Sequence, residues 1–251
     1  MTAPDDTAKH PAQPLFSDAA VPVPSRLPSY IKDHRKRLRA RFLQGGEKAL
    51  ADYEILELVL FRAIPRQDVK PLAYRLLQAF DNNLSEVLAA PPARLKAIEG
   101  VGESVIGELK LIEAAAQRLA QSRVMNRHVL SSWDAVVEYC HTTMARREAE
   151  HFRVLYLDAR NRLIADEEQG RGTVNHVPAY PREIAKRALE FNASALILVH
   201  NHPSGDQTPS QADITMTETI RQAIQVFGMD LHDHLIIGRE GAFSFRNAGY
   251  L

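Results

Sequence analysis

The sequence predicts an α+β chain, a small all-α N-terminal domain followed by a mixed α/β domain, on three observations. From about residue 30 to 124 the apolar residues recur at helical spacing, and nothing alternates in the manner of a strand. After residue 127, short apolar runs bounded by turn residues alternate with amphipathic segments. Between them, the polar stretch "QSRVMNRH" at 121–128 marks the change of texture. Residues 1–29 stand apart, holding six of the fourteen prolines and no periodicity, the composition of a disordered tail.

In the 30–124 domain, "ADYEILELVLFRA" is apolar at Tyr53, Ile55, Leu56, Val59 and Leu60, a wide helical face that stops before Pro65. "DVKPLAYRLLQAF" repeats the pattern, with Asp68 as its candidate N-cap. "NLSEVLAAP" and "ARLKAIEG" are short helices ended by Pro91 and Gly100, and "ESVIGELKLIEAAAQRLAQ" is a longer one. In the 127–251 domain a helix over "SWDAVVEYCHTTMARRE" leads into two apolar runs around "DARN", a hairpin. "PREIAKRALEFNA" is a helix with Pro at its start, and "SALILVH" is a short buried strand. A helix over "SQADITMTETIRQAIQVFG", closed by Gly228, precedes the final strands "DLHDHLIIG" and "GAFSF".

Composition narrows the function. Lys plus Arg equals Asp plus Glu at 31 each, so nucleic-acid affinity would need a local patch. No run approaches 18 apolar residues, which excludes a spanning helix and a membrane partner. The N-terminus lacks a basic-then-apolar signal. Cys140 is the single cysteine, so neither an intramolecular disulfide nor a multi-thiolate zinc site is available. Together these point to a cytoplasmic protein whose metal, if it holds one, is bound by His and carboxylate.

The candidate ligands lie in "ALILVHNHPSGDQTPSQAD". Side chains at i and i+2 of a strand share a face, so His200 and His202 can present two imidazoles to one point. Pro203 and Gly205 break the strand, and a helix beginning at Ser210 would carry Asp213 back toward the histidines as a third ligand. The same "S-x-x-D" is also a capping box, with Ser210 as N-cap and Asp213 at N3. Both readings stand on the residues alone.

The whole pattern, His-x-His, seven residues, Ser, two residues, Asp, resembles the JAMM (MPN+) metalloprotease signature. "HNHPSG", "FRVLYLDARNRLI", "RGTVNHVPAYPREIAKRAL" and "DHLIIG" are similar to RadC-like proteins in particular, a resemblance that covers about residues 30–251. It implies a layered α-β-α domain of the cytidine-deaminase-like kind, and one Zn2+ per chain held by His200, His202 and Asp213. It also implies a zinc-dependent peptidase acting on a peptide or protein substrate that the sequence does not identify. A glutamate just before the first strand would be general base and proton donor. That is Glu150, with Glu148 as the neighbouring alternative. Ser210 would bond the developing oxyanion. His176, His232 and His234 remain as spare imidazoles. Asp233 is placed to accept a hydrogen bond from a metal-bound histidine.

In the helical domain, Gly100-Val101-Gly102 joins two helices like a helix-hairpin-helix, whose exposed N–H groups suit a phosphate. With the resemblance to RadC-like proteins, which are traditionally named as DNA-repair proteins, this implies a DNA-associated repair or recombination accessory as the alternative function, with non-specific DNA as partner. Many RadC-like proteins carry a Lys after the second Gly; here Ser104, Val105 and Ile106 stand there, with Glu103 and Glu108 nearby. The cluster of Arg35, Lys36, Arg37, Arg39 and Arg41 would have to supply the charge, or it is a solvated helix end.

Overall fold

Residues 29–172 and 179–251 are described by a computed structural model; the proline-rich tail before residue 29 and His176 lie outside these residues. The first half is a helical layer: α1 (Ser29–Gly45), α2 (Asp52–Ala63), α3 (Lys70–Ala79), α4 (Leu84–Ala89), α5 (Pro92–Lys96) and α6 (Glu103–Val124). Local chemistry sets the ends. Glu54, in the first turn of α2, accepts from the Ala51 N–H at 3.0 Å. Asn83 caps α4 by accepting from Ser85 and Glu86. Asp68 accepts from the Lys70 N–H at 3.0 Å, but Val69 occupies the N-cap of α3, so the helix starts one residue later than Asp68 suggested. Leu56, Leu60, Leu76, Leu95 and Leu109 are sealed in one core.

The basic cluster of α1 divides. Arg35 is buried, with its guanidinium over the Phe61 ring at 4.3 Å. It donates to the carbonyls of Phe61 (3.3 Å), Ile64 (2.8 Å) and Gln67 (2.7 Å). These carbonyls lie at and just beyond the end of α2, where the helical ladder leaves acceptors without partners. Arg35 is thus a helix-closing residue, which corrects its reading as a phosphate contact. Arg41 is tied to Glu54 at 2.6 Å, whereas Arg37 and Arg39 are exposed.

The second half is a five-stranded mixed sheet in the order β2-β1-β3-β4-β5. Its strands are β1 (His151–Leu157), β2 (Leu163–Arg171), β3 (Ala195–Asn201), β4 (Asp230–Ile237) and β5 (Ala242–Ser244). β1 pairs antiparallel with β2 and β3; β3 and β4 are parallel; β5 is antiparallel to β4. Strand alternation sorts the side chains between two covers. Leu155, Leu157, Ile197 and Val199 face α7 (Trp133–Met144). Phe152, Val154, Leu196 and Leu198 face α8 (Pro181–Glu190) and α9 (Gln211–Gln225). All seven residues of β3 are buried, as a central strand covered on both sides requires. Leu196, Ile197, Leu198 and Val199 together contribute about 6–12 kcal/mol of gross apolar burial, enough to anchor a strand that ends in polar groups.

α6 serves both halves: Leu109 lies in the helical core, while Val124 at its other end is fully buried against α7 and the sheet. Arg94–Glu148 (2.8 Å) and Arg146–Glu86 (3.3 Å) also cross between the halves. Among the described residues no helix is long and apolar enough to cross a membrane.

Replacing Arg35 by Met should lower unfolding stability by about 2–4 kcal/mol, since three carbonyls lose charged donors. Arg37→Ala should change it by less than about 0.5 kcal/mol. Equal urea midpoints for the two variants would remove Arg35 from this role.

Candidate metal centre

β3 delivers its last residues to the face covered by α9. His200 is fully buried, and its Nε2 lies 3.0 Å from Nε2 of His202. Asp213, in the first turn of α9, brings Oδ1 to 3.3 Å from His200 Nε2 and Oδ2 to 3.6 Å from His202 Nε2. The three side chains form a cluster with the donor set of a metal site. Phe152, one strand over, stacks on the His200 ring at 6.3 Å.

Hydrogen bonds on the far side of each ring fix where its lone pair points. A carbonyl only accepts, so His202 Nδ1, 2.7 Å from the Asp206 carbonyl, carries its ring proton. For His200 the chain is longer. Thr217 lies one turn after Asp213 and donates to the Asp213 carbonyl at 2.6 Å. Its oxygen therefore accepts from His234 Nδ1–H at 2.6 Å. Burial drives the His234 pKa well below its ordinary value, so that ring is neutral and its Nε2 accepts from His200 Nδ1–H at 2.8 Å. Both Nε2 lone pairs then face Asp213.

His234 reaches this position through a β-bulge. Leu196 pairs with Leu231 but Ile197 pairs with Asp233, which leaves His232 as the extra residue. His232 goes instead to Asn161 Oδ1 at 2.6 Å. Asp233 does not touch a candidate ligand, contrary to the expectation from sequence: the bulge turns it away to the Ser244 hydroxyl (2.5 Å) and the Arg246 N–H (2.9 Å). The histidine that supports the site is the neighbour, His234. Thr217 carries no motif of its own; its signal is the i+4 spacing from Asp213 on one helix face.

Ser210 closes α9 as its N-cap. Its N–H (2.7 Å) and hydroxyl (2.6 Å) both donate to Asp213 Oδ2, and its oxygen accepts from the Asp213 N–H at 3.2 Å. Burial disfavours the Asp213 carboxylate, but hydrogen bonds from the His200 and His202 rings in their protonated forms, and from Ser210, hold it ionised far below the usual carboxylate range. The bond to Asp213 raises the His202 pKa above its ordinary value against the effect of burial, with help from the Asp206 carbonyl and the charge of Glu150. Glu150 is buried at the threshold of β1. Phe152 pairs with His200, and Glu150, two residues before it on the approach to β1, lies near enough for its charge to act on His202. Glu148 is exposed and paired with Arg94.

The donor set fits a divalent transition metal. Tetrahedral ligands at about 2.0–2.1 Å from zinc stand about 3.3 Å from one another. The separations of 3.0, 3.3 and 3.6 Å bracket that edge. Two imidazoles and a carboxylate also leave a coordination position for water or substrate, as catalytic zinc sites do.

A mixed sheet between helical layers, with this trio at the end of its central strand, defines the class: residues 130–250 match the RadC-like JAB domain, a JAMM-related fold. Residues 31–106 match the UPF0758 N-terminal domain. A UPF0758 protein of Ruegeria pomeroyi is 67% identical over 225 residues, covering 90% of this chain and all of that protein. A UPF0758 protein of Rhodobacter capsulatus is 67% identical over 214 residues, covering 85% of this chain and all of its own length. The chain belongs to the UPF0758 family of RadC-like proteins.

The helical-domain candidates are not brought to this centre. Gly100 has φ +89° and packs against Arg75 and Leu72, while Gly102 is the N-cap of α6. Near that turn Glu108 is paired with Arg62 at 3.0 Å.

The loop from His202 to Ser210 is held by glycine. A Cβ on Gly238 would stand 2.6 Å from the Gly205 carbonyl, and Gly205 has φ +87° against the Arg239 stem. Gly238→Ala should lower zinc affinity about tenfold or more by displacing the Asp206 carbonyl from His202. Gly107→Ala, where a Cβ meets open space, should leave it unchanged. Calorimetric titration with zinc checks both; equal affinities would show that the loop does not set the ligands.

Proposed function

We propose that this protein is a zinc-dependent metallohydrolase of the JAMM type, a metallopeptidase that cleaves a peptide or isopeptide bond. One observation carries the reading: two imidazole lone pairs and an ionised carboxylate converge at 3.0–3.6 Å, each fixed from behind. Three protein ligands of this kind suit an open catalytic site rather than a closed structural one. Bound there, zinc would supply Lewis acidity that activates water and polarises a carbonyl.

The chain's own groups supply the rest. Glu150, buried and close enough to act on His202, takes the proton of the attacking water and returns it to the leaving nitrogen. Glu148 is less suited, because its carboxylate is exposed and engaged by Arg94. Ser210 keeps its backbone N–H on Asp213 while its hydroxyl turns to the oxygen of the scissile carbonyl. Cap and oxyanion donor are then successive uses of one residue. A nucleic-acid role through the helical domain takes second place, because Arg35 spends its donors inside the fold.

Metal analysis of the purified protein should give about one zinc per chain, and His202→Ala or Asp213→Ala should lose it. Glu150→Gln should keep zinc and lose about 100- to 10,000-fold in hydrolysis. The check is a proteomic comparison of cells carrying either form, read as substrate accumulating only with Glu150→Gln. Full zinc in both ligand variants would overturn the site. Identical proteomes with zinc retained would overturn the hydrolase.

A further inference from the structure

Asn201 stands between the two candidate ligands and is fully buried. Strand alternation points it away from the centre, to the face where its strand neighbours Ile197 and Val199 pack in an apolar core. An amide there is costly unless all its polar atoms are satisfied, and an aliphatic residue would fit that face at lower cost. Its bonds indicate what it does. Oδ1 accepts from the His151 N–H at 2.9 Å. Nδ2 donates to the carbonyls of Ala149 at 3.1 Å and Arg147 at 3.4 Å. These partners fix the amide's orientation, since an N–H must face oxygen and carbonyls must face nitrogen.

The Ala149 carbonyl belongs to the peptide unit before Glu150, and the His151 N–H to the unit after it. One side chain therefore holds both peptide planes that set φ and ψ of Glu150. β1 begins at His151, so Asn201 grips the chain at the threshold of the strand. The Glu150 carbonyl is pinned from the other side by the Gly172 N–H at 2.9 Å.

We propose that Asn201 is the positioning residue for Glu150, clamping the backbone on both sides of it and so setting the carboxylate's distance from the histidine pair. This rests on the reading of Glu150 as general base. The alternating H-N-H order then has a physical meaning. The outer two residues aim at the metal and the middle one, on the opposite face, aligns the base to the same strand.

The test uses the full-length protein loaded with Co2+, whose visible spectrum follows ionisation of coordinated water. Wild type, Glu150→Gln, Asn201→Val, Asn201→Ser and the Glu150→Gln/Asn201→Val double variant are titrated with acid and base. All should bind about one cobalt per chain. Removing the Glu150 charge should lower the pH midpoint by about one unit, because a nearby like charge disfavours hydroxide. Asn201→Val should lower it in the same direction by at least half as much, with Asn201→Ser between it and wild type. The double variant should match Glu150→Gln alone, since a carboxylate that is gone cannot be misplaced. Hydrogen exchange at the His151 amide should rise in Asn201→Val and stay unchanged in Glu150→Gln. A midpoint that moves in Glu150→Gln but not in Asn201→Val, or shifts that add in the double variant, would overturn the clamp. A midpoint unmoved by Glu150→Gln with cobalt bound would overturn the base assignment itself. Should Asn201→Val fail to fold, Asn201→Ser carries the same comparison.

Discussion

The hydrogen bond from His200 to His234 is the constraint on which the rest of the centre depends. A buried imidazole can offer a lone pair in a fixed direction only if its other nitrogen has one partner of one polarity. Here that partner is a second imidazole, kept neutral by burial and oriented by Thr217, whose own hydroxyl ends on the Asp213 backbone. The chain begins at one candidate ligand and closes on the main chain of another. Moving α9 relative to β4 would therefore disturb His200 and Asp213 together.

That arrangement needs a rigid support, which β3 supplies. Its apolar residues are gripped between α7 on one side and α8 and α9 on the other. The strand's polar end carries ligands on one face and Asn201 on the opposite face. Burial in the middle of the strand thus stabilises polar groups at its tip that would not hold their places in a solvated loop.

Much of this was legible in the sequence. Period-two spacing put His200 and His202 on one face, and the Ser210–Asp213 cap placed the carboxylate. The strands and helices of the second half fall where their turn residues indicated. What was not legible depended on tertiary register. The bulge at His232 decides which of His232, Asp233 and His234 faces the centre, and nothing local announces it. Arg35 looked like a member of a basic run because burial is invisible in composition; its partners lie 26 to 32 residues away in sequence. Thr217 and Asn201 are polar residues whose importance follows only from what they face.

The two family matches end at residue 106 and resume at 130, and α6 spans most of that interval. With Leu109 in one core and Val124 in the other, this helix is a shared beam, and neither hydrophobic nucleus is complete without it. A chain divided at the polar stretch would strip a wall from the α/β half, exposing the surface around Val129 and Leu163 to water. Evolutionary modularity and mechanical modularity therefore have different borders in this molecule. Thermal melting should be concerted across both halves, and fragments cut at the family borders should need α6 retained to stay folded.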